Sequence, residues 1–306
     1  MNAYVPPKIF PWLNLLSLAF PGLIFGYIVL TLFWVFSWKK RAFVFLFLGL
    51  FFFNSTMRWI NYSPTKNEAP DLKIISFNTR SGLGENHEVT EYLRNSGADI
   101  LLLQEDSGKG YGSLGYEVSN PKGNFTVLSK YKIVDAKIIN PDDESVSVPG
   151  VQIDIEIKGK IYRFIDIYLK PFKFEKNMVK LSGDDEGDEE KVKNIIKRLI
   201  PTFKTHQEQV YAIKKAVENS PYPLILAGDF NSVPNSYEYY HLLESLQDCF
   251  VEAGKGSATS FHDYKFPIRI DYIFASKSIK PISYNVDRSV KISDHFPVIA
   301  TFKLEK

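Results

Sequence analysis

Apolar positions change their spacing along the chain, and each change marks an element. From Ile9 to Trp38 there is no Asp, Glu, Lys or Arg, a run longer than the roughly 20 residues that carry a helix across a bilayer. Lys39, Lys40 and Arg41 follow, and a second uncharged run extends from Ala42 to Met57. Arg58 and Trp59 close it with side chains suited to a membrane interface. The pattern predicts a transmembrane helical hairpin over residues 1–60, its helices covering 10–38 and 42–59. Positive loops stay cytoplasmic, so the Lys39–Arg41 turn places the rest of a multi-pass cell-membrane protein on the extracytoplasmic side. If the second run lies along the interface instead of crossing, the sidedness reverses.

Residues 61–71 hold two prolines and no apolar period, which reads as a linker to a domain over 72–306. Within that domain, Leu72–Phe77, Ile100–Leu103, Leu224–Ala227, Ile268–Phe274 and Val298–Phe302 are short apolar runs suited to buried strands. Asn124–Leu128 and Ile133–Ile139 read as antiparallel partners around residues 129–132. Val151–Ile157 and Ile161–Leu169 form a hairpin turning at Gly159. Helical spacing covers Val89–Asn95, Lys191–Leu199 and Thr205–Glu218, with Pro201 dividing the last two and the acidic run Asp184–Glu190 as a solvated loop. Strands mixed with helices and hairpins predict an α/β domain with mixed sheets.

A hydrophobic content of 45% is ample for a core, and a formal charge of +2 excludes a strongly basic, nucleic-acid-coating surface while allowing a local patch. Cys249 is the single cysteine, so no intrachain disulfide forms.

The strands end on polar residues of one kind. Leu224–Ala227 runs into Gly228, which lets the backbone turn, and then Asp229 and Asn231. Leu72–Phe77 ends at Asn78, Ile100–Leu103 at Gln104 and Glu105, and Asp294 and His295 precede the last strand. Asp271 lies inside an apolar run, where a carboxylate is costly unless paired or ligating. Carboxylates, amides and one imidazole gathered in this way suit metal-assisted phosphodiester hydrolysis, because Mg²⁺ or Mn²⁺ takes oxygen ligands and the charge developing on phosphorus needs compensation. His87, His206, His241 and His262 lack metal-ligand spacing. Phe261 and Tyr264 suit either a substrate loop or the core, and Lys170, Lys173 and Lys176 a solvated face or a phosphate contact.

In order along the chain stand Ile-Ser-Phe-Asn at 75–78, Leu-Gln-Glu at 103–105, Leu-Ser-Lys-Tyr at 128–131, Gly-Asp-Phe-Asn at 228–231, Arg-Ile-Asp-Tyr-Ile at 269–273 and Ser-Asp-His-Phe-Pro-Val at 293–298. This series resembles the endonuclease/exonuclease/phosphatase superfamily, which includes pancreatic-type deoxyribonucleases, abasic-site endonucleases, sphingomyelinases and inositol polyphosphate phosphatases. The resemblance implies a DNase I-like, four-layer α/β sandwich of two mixed sheets flanked by helices. It also implies a divalent-metal hydrolase of phosphodiester bonds in DNA or RNA, with a lipid or small phosphorylated substrate, or a non-catalytic binding module, as alternatives. Carried over, Glu105 with Asp294 and Asn78 would hold the metal, Asp229 orient water and Asn231 bind a phosphoryl oxygen. Asp271 would hold His295, with Arg269 a further substrate contact.

One segment departs from the family pattern. Many members carry Asn-x-His-Leu after the central hairpin, where this chain has Asp166-Ile-Tyr168-Leu169. Tyr168 is then the expected phosphate contact or leaving-group acid, and Asp166 adds negative charge beside an anionic substrate. The implied partners are a phosphodiester substrate, nucleic acid included, and the membrane through the hairpin. No protein partner is implied.

Overall fold

The computed structural model describes residues 2–80, 87–173, 185–263 and 267–304. Tyr264 and Lys176 lie outside these. The first apolar run forms helix α1, Leu13–Phe36, which is long and apolar enough to cross a membrane. The second run does not form one span. It divides into α2 (Arg41–Gly49), a 3-10 turn at Leu50–Phe52 and α3 (Phe53–Met57). Among the described residues α1 is the one helix that reaches spanning length, so the expected multi-pass topology and sidedness lose their second helix. The two runs still touch, the Tyr27 hydroxyl donating to the Phe45 carbonyl.

The expected linker begins as structure. Strand β1, Ile60–Tyr62, pairs with residues 255–257. Asn61 is fully buried, its amide donating to the carbonyls of Phe250 and Val251 at 2.8 and 2.7 Å. Both carbonyls belong to the short helix that ends at Ala253, where Phe250 also accepts from the Gly254 N–H, and a polar residue is stable there because its buried amide finds acceptors.

The domain is built on β2 (Leu72–Asn78), α4 (His87–Asn95), β3 (Ile100–Gln104), β4 (Glu117–Lys122), β5 (Phe125–Ser129), β6 (Lys132–Ile139), β7 (Gly150–Ile157) and β8 (Lys160–Tyr168). There follow α5 (Asp185–Glu218), β9 (Leu224–Asp229), α6 (Tyr237–Leu243), β10 (Leu246–Asp248), α7 (Cys249–Ala253), β11 (Lys255–Ser257), β12 (Asp271–Ser276), β13 (Lys280–Val286) and β14 (Val298–Lys303). Two six-stranded sheets result, ordered β13-β14-β2-β3-β5-β4 and β10-β12-β9-β8-β7-β6. Each has one parallel pair at its centre, β2 with β3 and β8 with β9, and antiparallel partners outside it. The two sheets therefore repeat one pattern, which no internal sequence repeat announces.

Side-chain alternation sorts the layers. Ile74, Leu102, Val127, Ile153, Phe164, Ala227, Ile273 and Ala300 fill the space between the sheets. Ile75, Leu101 and Leu103 face α4 through Val89 and Leu93, while Ile165, Ile167 and Leu226 face Val210, Ile213 and Val217 of α5. Both faces of the central strands are covered, which explains their unbroken apolar runs.

Two local expectations fail for tertiary reasons. Residues expected as antiparallel partners, β5 and β6, lie in different sheets, so the chain from 129 to 132 crosses between layers. The acidic stretch from Asp185 is the start of α5, which continues through Pro201 to Glu218 instead of dividing there. A helix-interior proline costs about 3 kcal/mol, and burial of Leu199, Phe203, Val210 and Ile213 along this helix offsets it.

Candidate active site

The parallel centre of each sheet sends its strand ends to one edge of the sandwich. Asn78 ends β2, Glu105 follows β3, Tyr168 ends β8 and Asp229 ends β9. The antiparallel neighbours bring the start of β12, Asp271, and the approach to β14, Asp294 and His295, to the same edge. The Asn78 amide then joins the sheets, donating to Glu105 Oε1 at 3.0 Å and to Asp229 Oδ2 at 3.1 Å. Tyr168 donates its hydroxyl to the same Glu105 oxygen at 2.8 Å.

Gly228 does not make the turn expected of it. It sits inside β9 opposite Ile167, at φ 139°, and a Cβ there would lie 2.0 Å from the Ile167 carbonyl oxygen. Only glycine allows β8 and β9 to approach so closely with Asp229 at their end. Past the strand, Asn231 takes a left-handed φ of 44°. Its backbone N–H donates to Asp229 Oδ1 at 2.8 Å, and its amide donates to the Leu169 carbonyl and to Asp229 Oδ2 at 2.9 and 3.1 Å. Asn231 in this arrangement holds Asp229 in place. Glu105 also stands at a left-handed φ, 50°, as does Arg80. Side chains pay for that geometry, and such strain gathers at functional positions. Asp106 fixes the turn, accepting from the Tyr111 hydroxyl and from the Gly108 N–H.

His295 and Asp271 form a buried pair, Nδ1 to Oδ2 at 2.9 Å, with Nε2 3.7 Å from Asp229 Oδ2. Burial opposes charge on the imidazole, but the Asp271 and Asp229 carboxylates outweigh it and raise its pKa above the usual histidine range. Burial likewise raises Asp229, with His295 and the Asn231 and Asn78 hydrogen bonds pulling it back. The Tyr168 hydroxyl is raised by burial and then by Glu105 and Asp229, so it stays a neutral donor.

A cavity of roughly 230 Å³ opens over Glu105, Tyr168, Asp229, Asn231, Asp294 and His295. The acidic residues and the imidazole also supply a possible metal cluster, since donor atoms of Asp229, Asp271 and His295 lie within 4.8 Å of one another. Their oxygens are already engaged by amides and by the imidazole. Glu105 and Asp294 line the cavity with carboxylate oxygens, the type that Mg²⁺ and Mn²⁺ take, while Asn78 is buried, its Oδ1 accepting from the Arg80 N–H at 3.1 Å. A cation already stands there, the Arg80 guanidinium at 3.2 Å from Asp294 Oδ2.

Two sequence expectations need correction. Arg269, expected to meet substrate, is 0% exposed, its guanidinium on Asp248 at 2.7 and 2.8 Å and on the Arg58 carbonyl at 2.9 Å. It is a structural anchor because a buried guanidinium requires a paired carboxylate. Asp166 does not face the site. It is fully buried, accepts from the Gln104 amide at 2.5 Å, and burial drives its carboxyl well above the usual range. A protonated Asp166 is neutral, as an asparagine would be, and adds no charge beside a substrate.

Some contributors were not among the expected site residues. Ser293 donates to the Asn78 carbonyl at 2.8 Å and accepts from the His295 N–H. Ser260, fully buried, accepts from the Asp271 N–H at 3.1 Å. Phe261 packs on His295 with ring centroids 4.9 Å apart. His206 is buried between Glu238 and the Lys170 carbonyl.

A model of the endonuclease/exonuclease/phosphatase family matches residues 75–295. The chain belongs to this family. Residues 1–59 match a separate model described as a domain of unknown function. No curated protein matches the chain by sequence. Among solved structures, a family member from Bacteroides thetaiotaomicron is 17% identical with a TM-score of 0.55, covering 76% of this chain and 95% of that one. The mannosyl-6-phosphatase of the same organism is 18% identical with a TM-score of 0.54, covering 76% and 100%. D. rerio TDP2 complexed with a single-strand DNA product is 17% identical with a TM-score of 0.53, covering 76% and 98%. At these identities the likeness carries the family's fold, two mixed sheets flanked by helices.

Proposed function

We propose that this family domain is a divalent-metal-dependent phosphoester hydrolase whose metal is held by Glu105, Asp294 and Asn78. The observation that carries the reading is the single hydrogen-bonded network in which Asn78 joins Glu105 to Asp229 across the two sheets. When bound, Mg²⁺ or Mn²⁺ supplies Lewis-acid stabilisation of charge on the phosphoryl oxygens. Asp229, held by the Asn231 N–H and two amides, orients a water and accepts its proton. His295, oriented through Nδ1 by Asp271, stabilises the developing negative charge from the opposite ring edge. Tyr168 donates from its hydroxyl, either to Glu105 as now or to a substrate oxygen. Asn231 acts by positioning Asp229.

Nucleic acid was the substrate implied by sequence resemblance, and a DNA-bound protein and a sugar-phosphate phosphatase both share the fold. The reaction class is tested with the full chain in detergent, bis-p-nitrophenyl phosphate as substrate, and Mg²⁺, Mn²⁺ or EDTA. The expected result is metal-dependent release of nitrophenolate that Glu105→Ala and His295→Ala each abolish. A folded wild-type protein with no turnover under any metal would favour the binding-module reading instead.

A further inference from the structure

The membrane-type helix and the catalytic cavity are not separate parts. Leu18 of α1 lines the cavity together with Phe172, Leu199, Val233 and Ile268, the apolar part of a lining that also holds Glu105 and Asp294. The base of α1 is fixed to the domain by buried polar contacts. Asn14, 3% exposed, donates to Glu238 at 3.0 Å and accepts from the Tyr237 N–H at 2.9 Å. Arg58, where the second run returns, donates to Asn235 at 2.8 Å and lies over the rings of Tyr239 and Tyr240. Trp59 stacks on Phe20. A buried asparagine inside an apolar helix is stable only with its partners in place, so these contacts fix the distance between cavity and helix.

Beyond Leu18 the helix changes character. Leu23, Phe25, Ile28, Leu32 and Phe33 are exposed, and the stretch through Phe36 rises about 27 Å at roughly 1.5 Å per residue. That matches a hydrocarbon core of about 30 Å. With the apolar stretch in the bilayer, Trp59 and Arg58 mark the interface, and the cavity opens at the level of the lipid headgroups.

Charge argues in the same direction. Among the described residues lining the cavity the cationic side chains are Arg80, Lys173 and the buried His295, set against the carboxylates Glu105, Asp229, Asp263 and Asp294. A nucleic-acid strand needs a track of cations along its backbone, whereas a single phosphoester group needs the metal and His295 alone.

Resting on the hydrolase reading above, we infer that the substrate is a membrane-resident amphiphile. Its phosphoester headgroup enters between Glu105 and His295 while its apolar part lies along Leu18 and Phe172 toward the bilayer. In the reaction a water oxygen bonds to phosphorus, the bond from phosphorus to the leaving oxygen breaks, and the water proton passes to Asp229.

The test uses the full chain in phosphatidylcholine nanodiscs with Mg²⁺ or Mn²⁺, and two diesters with one leaving group, methyl p-nitrophenyl phosphate and octyl p-nitrophenyl phosphate. The octyl ester is expected to exceed the methyl ester in kcat/KM by about tenfold or more. Leu18→Ser should collapse that ratio severalfold and Leu18→Met retain it, which separates wall contact from simple partitioning into the bilayer. Phe172→Ala, outside the membrane helix, gives the same readout should Leu18→Ser fail to assemble. Equal rates for the two esters, a ratio indifferent to both wall variants, or faster cleavage of plasmid DNA than of the octyl ester would overturn the inference and leave the hydrolase standing. Loss of turnover on both esters would remove the hydrolase reading itself.

Discussion

The Tyr168 hydroxyl donates to Glu105 Oε1 at 2.8 Å, so the residue standing where many family members carry a histidine is tied to the proposed principal metal ligand. Tyr168→Phe keeps the ring and removes this bond. Loss of a hydrogen bond behind a ligand costs about 10–100-fold in metal affinity or activity, and a drop of that size in kcat, with more metal needed for half activity, is the expected outcome. Because burial and the Glu105 charge raise the phenol, the variant should leave the alkaline limb of the pH profile where it was. A limb that disappeared with the hydroxyl would make Tyr168 a titrating acid instead.

Asp271 sets both the tautomer and the charge of His295. Asp271→Asn should lower kcat by about 10²–10⁴-fold and move the loss of activity at high pH to lower pH, since Asp271 helps raise the imidazole. In the wild-type chain the stabilisation from this raised group is complete below the unfolded histidine range and is lost as pH rises through the folded value. Stopped assays across pH read both effects.

Asp166 is predicted to cost stability. An acid raised by burial binds its proton in the folded state while the unfolded chain releases it, so stability falls as pH rises above the ordinary carboxylate range. Asp166→Asn removes that dependence. Urea midpoints should show the variant gaining on wild type as pH rises from 4 to 7, by at most about 1.4 kcal/mol per pH unit. A constant difference across pH would mean that Asp166 is ionised in the fold.

Arg269 separates structure from catalysis. Arg269→Ala leaves Asp248 buried without its partner and should destabilise by about 3–5 kcal/mol. The folded fraction should keep wild-type kcat on bis-p-nitrophenyl phosphate. A KM rise without a fall in melting temperature would restore the substrate role.

Metal binding should stabilise the fold before any chemistry is assayed. At about 100 times Kd the gain is about 2.7 kcal/mol, read as a rise in Tm on adding Mn²⁺ to the EDTA-treated chain. Glu105→Ala should lose most of that rise.

The reading of Asp229, Glu105, Asn78, Asp294 and His295 as one site was legible because each follows or precedes a short apolar run, and strand ends in an α/β domain gather at an edge. Arg269 carried the same signal, two residues before the site carboxylate Asp271, and misled. Its direction depends on Asp248 and Arg58, which approach only in the folded chain. Asp166 looked like a charged neighbour because its ionisation is set by complete burial between strands, a property no neighbour in sequence reports.

Local sequence determined the helix long and apolar enough to cross a membrane, the central strands, the hairpin of β7 and β8 and the family motifs, because hydrophobic period and short motifs act within a few residues. Tertiary structure decided that α5 runs through Pro201, that β5 and β6 part into two sheets, and that Leu18 of α1 joins the lining of the cavity over Glu105 and His295. That last relation depends on Asn14 meeting Glu238, 224 residues away in the chain. Contacts at such separation leave no period to read, and only the packed sheets bring them within hydrogen-bond distance.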